Sequence, residues 1–153
     1  MAKKFLRIHG DNIVECERTL TMLCDAFHKE AILCESPIFR PLYTFNYKGN
    51  LYEIELLSGH ARWGVDINEE LLKNGGVLRE GADSYITLIQ GKNEKVIIGI
   101  EYCSALPAGN NAWQRNGRAL STILSGIPYL YFAEIGGVEM DSATRKITTD
   151  NYR

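Results

Sequence analysis

The stretch Asp83–Gln114 constrains this 153-residue chain more than any other. It opens with Asp83-Ser84 and alternates through Tyr85-Ile86-Thr87-Leu88-Ile89. It turns at Gly91-Lys92-Asn93-Glu94 and returns through the apolar run Val96–Ile100 to Glu101. Two β-rich runs joined by a short polar turn predict a hairpin, with strands over 84–90 and 95–102. One acid then opens the first strand and another closes the second, side by side at an edge of the sheet. Neighbouring carboxylates repel, so the pattern points to a divalent cation held between oxygen ligands. The plainer alternative makes Asp83 a turn residue and Glu101 a solvent-facing one. Against it, the unbroken apolar run before Glu101 reads as a buried strand, where a charge needs a partner.

The length fits one domain with a sizeable core, and the hydrophobic fraction of 45% is that of an ordinary soluble globular protein. A net charge of −2 counts against strong non-specific nucleic-acid binding, which needs surplus Lys and Arg. It is compatible with a cluster of metal-binding acids. Cys16, Cys24, Cys34 and Cys103 form no CxxC pair, and no apolar signal segment follows Met1-Ala2-Lys3-Lys4. Both observations predict a reducing cytoplasm. The apolar runs are too short to cross a bilayer.

Residues 4–9 predict a short extended lead-in. Asp11 reads as a helix N-cap, with Glu15 and Glu17 near the positive end of the dipole. Ile13, Cys16, Leu20, Leu23, Cys24 and Phe27 recur at helical spacing, which places a helix over 12–30. Tyr43–Tyr47 and Leu51–Leu57 flank Lys48-Gly49-Asn50 and predict a hairpin. Asn68–Lys73 reads as a helical turn stopped by Asn74-Gly75-Gly76. After strands 84–90 and 95–102, Asn110 or Asn111 caps a helix through Trp113, Leu120, Ile123 and Leu124. Residues 128–134 read as a last buried strand, and the polar tail from Glu139 reads as carrying no packed element. The tail suggests a fragment or subunit of a larger enzyme. The order gives an α/β fold with a mixed central sheet flanked by helices, in a single domain over 1–153.

With Asp83 before one strand and Glu101-Tyr102-Cys103 ending the next, the chain resembles the PD-(D/E)XK nuclease superfamily over roughly 11–135. Ala82 stands where that family has Pro, and Cys103 stands where it has Lys. The stretches His9–Arg18 and Ile100–Ala119 also look like the catalytic domains of bacterial type II restriction endonucleases. The resemblance implies a restriction-endonuclease-like αβββαβ core and hydrolysis of DNA phosphodiester bonds. Asp83, Glu101 and the backbone carbonyl of Tyr102 would hold Mg²⁺, for which Mn²⁺ substitutes, and Glu15 would complete the site. It implies a double-stranded DNA partner. A double-strand break then needs a homodimer, a second nuclease or specificity subunit, or sequential nicking.

Cysteine cannot supply the family's permanent cation. The role has moved to Gln114, Arg118 or Lys95, or catalysis rests on metal with Cys103 as it stands, or the domain is an inactive nuclease fold used for DNA binding or subunit contact. Glu17 competes with Glu15, and Asp66 with Asp83; the simpler role for Asp66 is a cap before Glu69-Glu70. Gln114 and Arg118 share a helix face: Gln114 suits positioning water, and Arg118 suits a phosphate. Asn110, Asn111, Arg115 and Arg118 are candidate DNA contacts, and equally plain capping or solvated groups. The cysteines read as packed residues, and Trp63 and Trp113 as core before base-stacking platforms. A small-molecule enzyme on a mixed sheet is the remaining class, without a cofactor motif to favour it.

Overall fold

A computed structural model describes residues 2–34, 40–103, 110–133, 138–140 and 147–149. Seven strands form one mixed sheet: β1 (Ala2–Gly10), β2 (Ile32–Cys34), β3 (Leu42–Tyr47), β4 (Asn50–Ser58), β5 (Ser84–Gln90), β6 (Asn93–Cys103) and β7 (Tyr129–Ala133). Their order across the sheet is β2-β3-β4-β1-β5-β6-β7. Three α-helices accompany it: α1 (Ile13–Phe27), α2 (Ile67–Lys73) and α3 (Asn110–Leu124). No helix among the described residues is long and apolar enough to cross a membrane.

The lead-in is a nine-residue strand at the centre of the sheet. β1 runs parallel to β4 and antiparallel to β5. Leu6 and Ile8 point into the main core under α1, with Ile54, Leu56, Ile86 and Ile100. Arg7 and His9 point to the other face, and burying them there requires partners. Arg7 donates to Glu55 Oε2 at 2.8 Å and Glu94 Oε2 at 2.6 Å. His9 Nε2 lies 2.7 Å from Glu94 Oε1 and 3.2 Å from Thr87 Oγ1. Burial pushes the His9 imidazole below its ordinary value. Burial alone would raise the Glu94 carboxyl, but hydrogen bonds from Thr87 and His9 bring it below the usual range.

Both hairpins form where their turns allow. Lys48 and Gly49 carry positive φ angles of 46° and 75° between the paired Tyr47 and Asn50, the geometry of a primed two-residue turn. β5 and β6 pair from Ser84↔Ile100 to Gln90↔Asn93, with a bulge between Ile86 and Thr87. The N-cap of α1 is Asn12, one residue after Asp11, its side chain accepting from the Glu15 amide at 3.1 Å. His28 ends α1 in the left-handed conformation. Asp66 caps α2, accepting from the Glu69 amide at 3.0 Å, and so serves as the cap rather than as a rival to Asp83. The tail does carry structure: β8 (Val138–Met140) and β9 (Ile147–Thr149) pair antiparallel as a separate small sheet. Three-residue strands are too short to show an alternation.

The Glu94 network should be worth more than any surface pair. Glu94→Ala leaves Arg7 with Glu55 alone and His9 with Thr87 alone and is expected to cost about 2 kcal/mol. Glu53→Ala, which breaks the outer Lys3–Glu53 pair, should cost less than about 1 kcal/mol. Urea denaturation at pH 7 measures both. The depressed Glu94 carboxyl makes its contribution present at neutral pH and lost as acid protonates it.

Candidate metal centre

β5 begins at Ser84, opposite Ile100, so Asp83 stands one residue beyond the pairing and opposite Glu101. A backbone bond from the Asp11 amide to the Asp83 carbonyl, 3.0 Å, ties the entry of α1 to the same strand end. Asp83 Oδ2 accepts the Tyr102 amide at 2.8 Å. On Tyr102, it is thus the amide whose contact to Asp83 is seen, while the carbonyl was the expected ligand.

Glu101 is 1% exposed. It lies on the face of β6 that looks toward α3, and three side chains converge on it. Arg115 Nε and Arg118 Nη1 each lie 3.4 Å from Oε1, and the Tyr129 hydroxyl donates to Oε2 at 3.0 Å. The same Arg118 nitrogen is 4.0 Å from Asp83 Oδ1. The two acids therefore share one guanidinium. Arg115 also reaches Cys103 Sγ at 2.6 Å, so a guanidinium occupies the space beside residue 103.

Glu15 projects from the first turn of α1, and its Oε2 is buried without a hydrogen-bond partner. Glu17, the competing acid, is exposed. Asp11 adds a further carboxylate, paired with His60 at 2.8 Å. Behind the site, Thr19 joins the Ser84 hydroxyl and the Tyr102 phenol, both at 2.8 Å.

The electrostatics follow from crowding acids in a desolvated corner. Burial raises the Asp83 carboxyl, and the charge of Asp11 adds to this, against the Tyr102 amide and the two arginines. Burial and then Asp83 raise Glu101, against Tyr129, Arg118 and Arg115. Burial, Asp83 and Asp11 raise Glu15. Burial and Glu101 raise Tyr129, which keeps its proton. Cys16, packed below, is pushed up to about 12 by burial, so its thiol is inert.

Several expected roles shift. Gln114 does not reach Glu101; its amide donates to Glu80 Oε2 at 3.2 Å. Lys95 pairs with Leu88 at the far end of the hairpin, six residues or roughly 20 Å along β6 from Glu101. Arg115 and Arg118 are only 19% and 22% exposed: they point inward at the acids instead of outward at a ligand. Asn110 and Asn111 begin α3, and their side chains lie outside the described residues. Trp63 packs edge-on against His9 and Tyr85 and donates to the Gly10 carbonyl. Trp113 is exposed. Asp11 and Tyr129 also belong to this corner, although the sequence marks one only as a helix cap and the other only as a strand residue.

The donors at this corner are carboxylate oxygens, the hard ligands that suit Mg²⁺ or Mn²⁺. Glu15 supplies a buried acceptor with no partner among the described residues. Among the described residues, no three His, Cys, Asp or Glu side chains are grouped closely enough to hold a metal as they stand; Asp83 and Glu101 are linked through Arg118. Comparison with known protein families, with curated proteins and with solved structures found no significant match.

The raised acids give a pH-dependent prediction. A carboxyl raised above its unfolded value destabilises the fold once ionised, so removing its charge helps at high pH only. Glu15→Gln should stabilise the metal-free protein at pH 8, by no more than a few tenths of a kcal/mol because the part-exposed carboxyl is screened by solvent. The gain should vanish as the pH falls toward the ordinary carboxylate range. Thermal melts across pH 4–8 measure it.

Proposed function

We propose that this chain is a metal-dependent endonuclease domain, with the restriction-endonuclease-like core and a double-stranded DNA substrate. The observation that carries the reading is the shared guanidinium: Asp83 and Glu101, on adjacent strand ends, both approach Arg118 Nη1. Asp83 and Glu101, with Glu15, would hold Mg²⁺ or Mn²⁺. When bound, such an ion acts as a Lewis acid and lowers the pKa of water. The chain's own residues then have separable tasks. Tyr129 fixes one oxygen of Glu101, leaving the other toward the site. The free oxygen of Glu15 accepts a proton-bearing water. Arg115 and Arg118, released from the acids, bind the non-bridging oxygens of the scissile phosphate.

In this reading Arg115 supplies the cation that Cys103 cannot. Its guanidinium touches both Cys103 and Glu101. Supercoiled plasmid incubated with Mg²⁺ or Mn²⁺ should be nicked or cut. Asp83→Ala and Glu101→Ala should each slow cleavage about 1,000-fold, roughly 4 kcal/mol of barrier. Cleavage that is unchanged in both variants, or that persists in EDTA, would remove the assignment.

The ion pairs themselves favour a second reading. Two arginines already neutralise Glu101, as they would in an inactive nuclease fold used for DNA binding or subunit contact. Substitutions at 103 and 115 separate the two. If Arg115 replaces the lysine, Arg115→Ala abolishes cleavage and the double variant C103K/R115A restores it. An inactive domain shows no cleavage before the exchange; activity appearing only in the double variant marks a nuclease site without its cation.

A further inference from the structure

Helix α3 is inverted. Its polar face lies on the sheet: Arg115 and Arg118 reach Glu101, Ser121 Oγ accepts the Val77 and Leu78 amides at 2.9 and 3.0 Å, and Thr122 sits over Gly99. Its apolar face points away. Trp113 is 80% exposed, and Leu120, Ile123 and Leu124 are each at least half exposed. Val77 and Leu78, exposed beside the helix, extend the patch, and a Cβ on Gly117 would touch Leu78.

We propose that this face is the two-fold interface of a homodimer, α3 packing against α3 of a second copy. Three observations select a second copy. Both charges of α3, Arg115 and Arg118, are used on the inner face, so the outer face is neutral. Such a face meets itself without like-charge cost, as an isologous contact requires. Five of these six large apolar residues are at least half exposed, and an exposed apolar cluster of this kind marks an interaction surface. The chain's own residues 134–153 are a poor cover, since seven of those twenty are charged. In an antiparallel pairing Trp113 meets the partner's Leu124, while Gly117 and Leu120 lie near the axis. Helix α3 is then braced from outside while its inner face holds Arg115 and Arg118 on the acids. The proposal stands on this helix face and is independent of the chemistry at Glu101.

Sedimentation velocity of the full chain, from 1 to 100 µM, tests it. The wild type should sediment with the mass of two chains. Leu120→Glu/Leu124→Glu should raise the dimer dissociation constant at least about 100-fold, since each charge enters an apolar contact twice. Both side chains are exposed in the single chain, so its circular dichroism and melting should be retained; Trp113→Ala, which adds no charge, should weaken the dimer in the same direction. Asp83→Ala should leave the dimer intact, which separates this test from that of the nuclease reading. A wild type that stays monomeric at 100 µM overturns the proposal. Acrylamide quenching of Trp113 in a Trp63→Phe background then shows whether the chain's own segment shields the face or solvent does. A dimer that survives both interface variants overturns it equally.

Discussion

The structure turns on the burial of one charge. Glu101 is an ionisable side chain sealed in the sheet interior, and water is not there to solvate it. An isolated buried carboxylate is costly enough that it takes up a proton instead of staying charged. The chain answers with Arg115, Arg118 and Tyr129, and that answer fixes more than the site. Two of the three partners lie on α3, so α3 must present its polar side to the sheet. A helix has only two faces, and its apolar residues are left outside. The inward arginines and the outward Trp113, Leu120, Ile123 and Leu124 are consequences of the same requirement.

The parts of the fold legible in the sequence are those that local signals specify. The hairpins could be read because a short polar turn with a left-handed glycine sits between strands of sufficient length. Helix α1 could be read because Cys16, Leu20 and Cys24 repeat on one face and do pack into the core. Strand β1 looks like a short lead-in in the sequence because Arg7 and His9 interrupt its apolar pattern. They are tolerable only through Glu55, Thr87 and Glu94, from 48 to 87 residues away. Periodicity also reveals that a helix has an apolar face without saying what that face meets. That is why Trp113, expected in the core, lies outside it.

The candidate site divides along the same line. The Asp83–Glu101 pairing follows from the hairpin register, which the turn fixes. Glu15 and Glu17 are distinguished by helical phase, since Glu15 falls beside Cys16 and Thr19 at the edge of the buried face. The roles of Arg115, Arg118 and Tyr129 depend on how α3 and β7 are laid on the sheet. The spacing of Arg115 and Arg118 on one helix reads from the sequence as a solvated face. Asp11 was hidden by its own position: one residue before the true cap, it looks like a cap.

The acids at this corner differ in character from those of a closed salt-bridge cluster. Glu80, Asp83 and Glu101 lie against Arg115 and Arg118, and Asp11, paired with His60, and Glu15 add their charges near Asp83. A cluster that exists only to hold a fold gains most when its charges cancel and each donor and acceptor is used. Here three carboxyls are raised rather than depressed, and a buried Glu15 oxygen has no partner among the described residues. Each of these costs stability in the protein alone, and each is relieved by added positive charge. The Glu94 network has the opposite character: its carboxyl is depressed and both its oxygens are engaged. The same sheet thus carries one acid whose carboxyl its partners hold down and a corner where three carboxyls are pushed up.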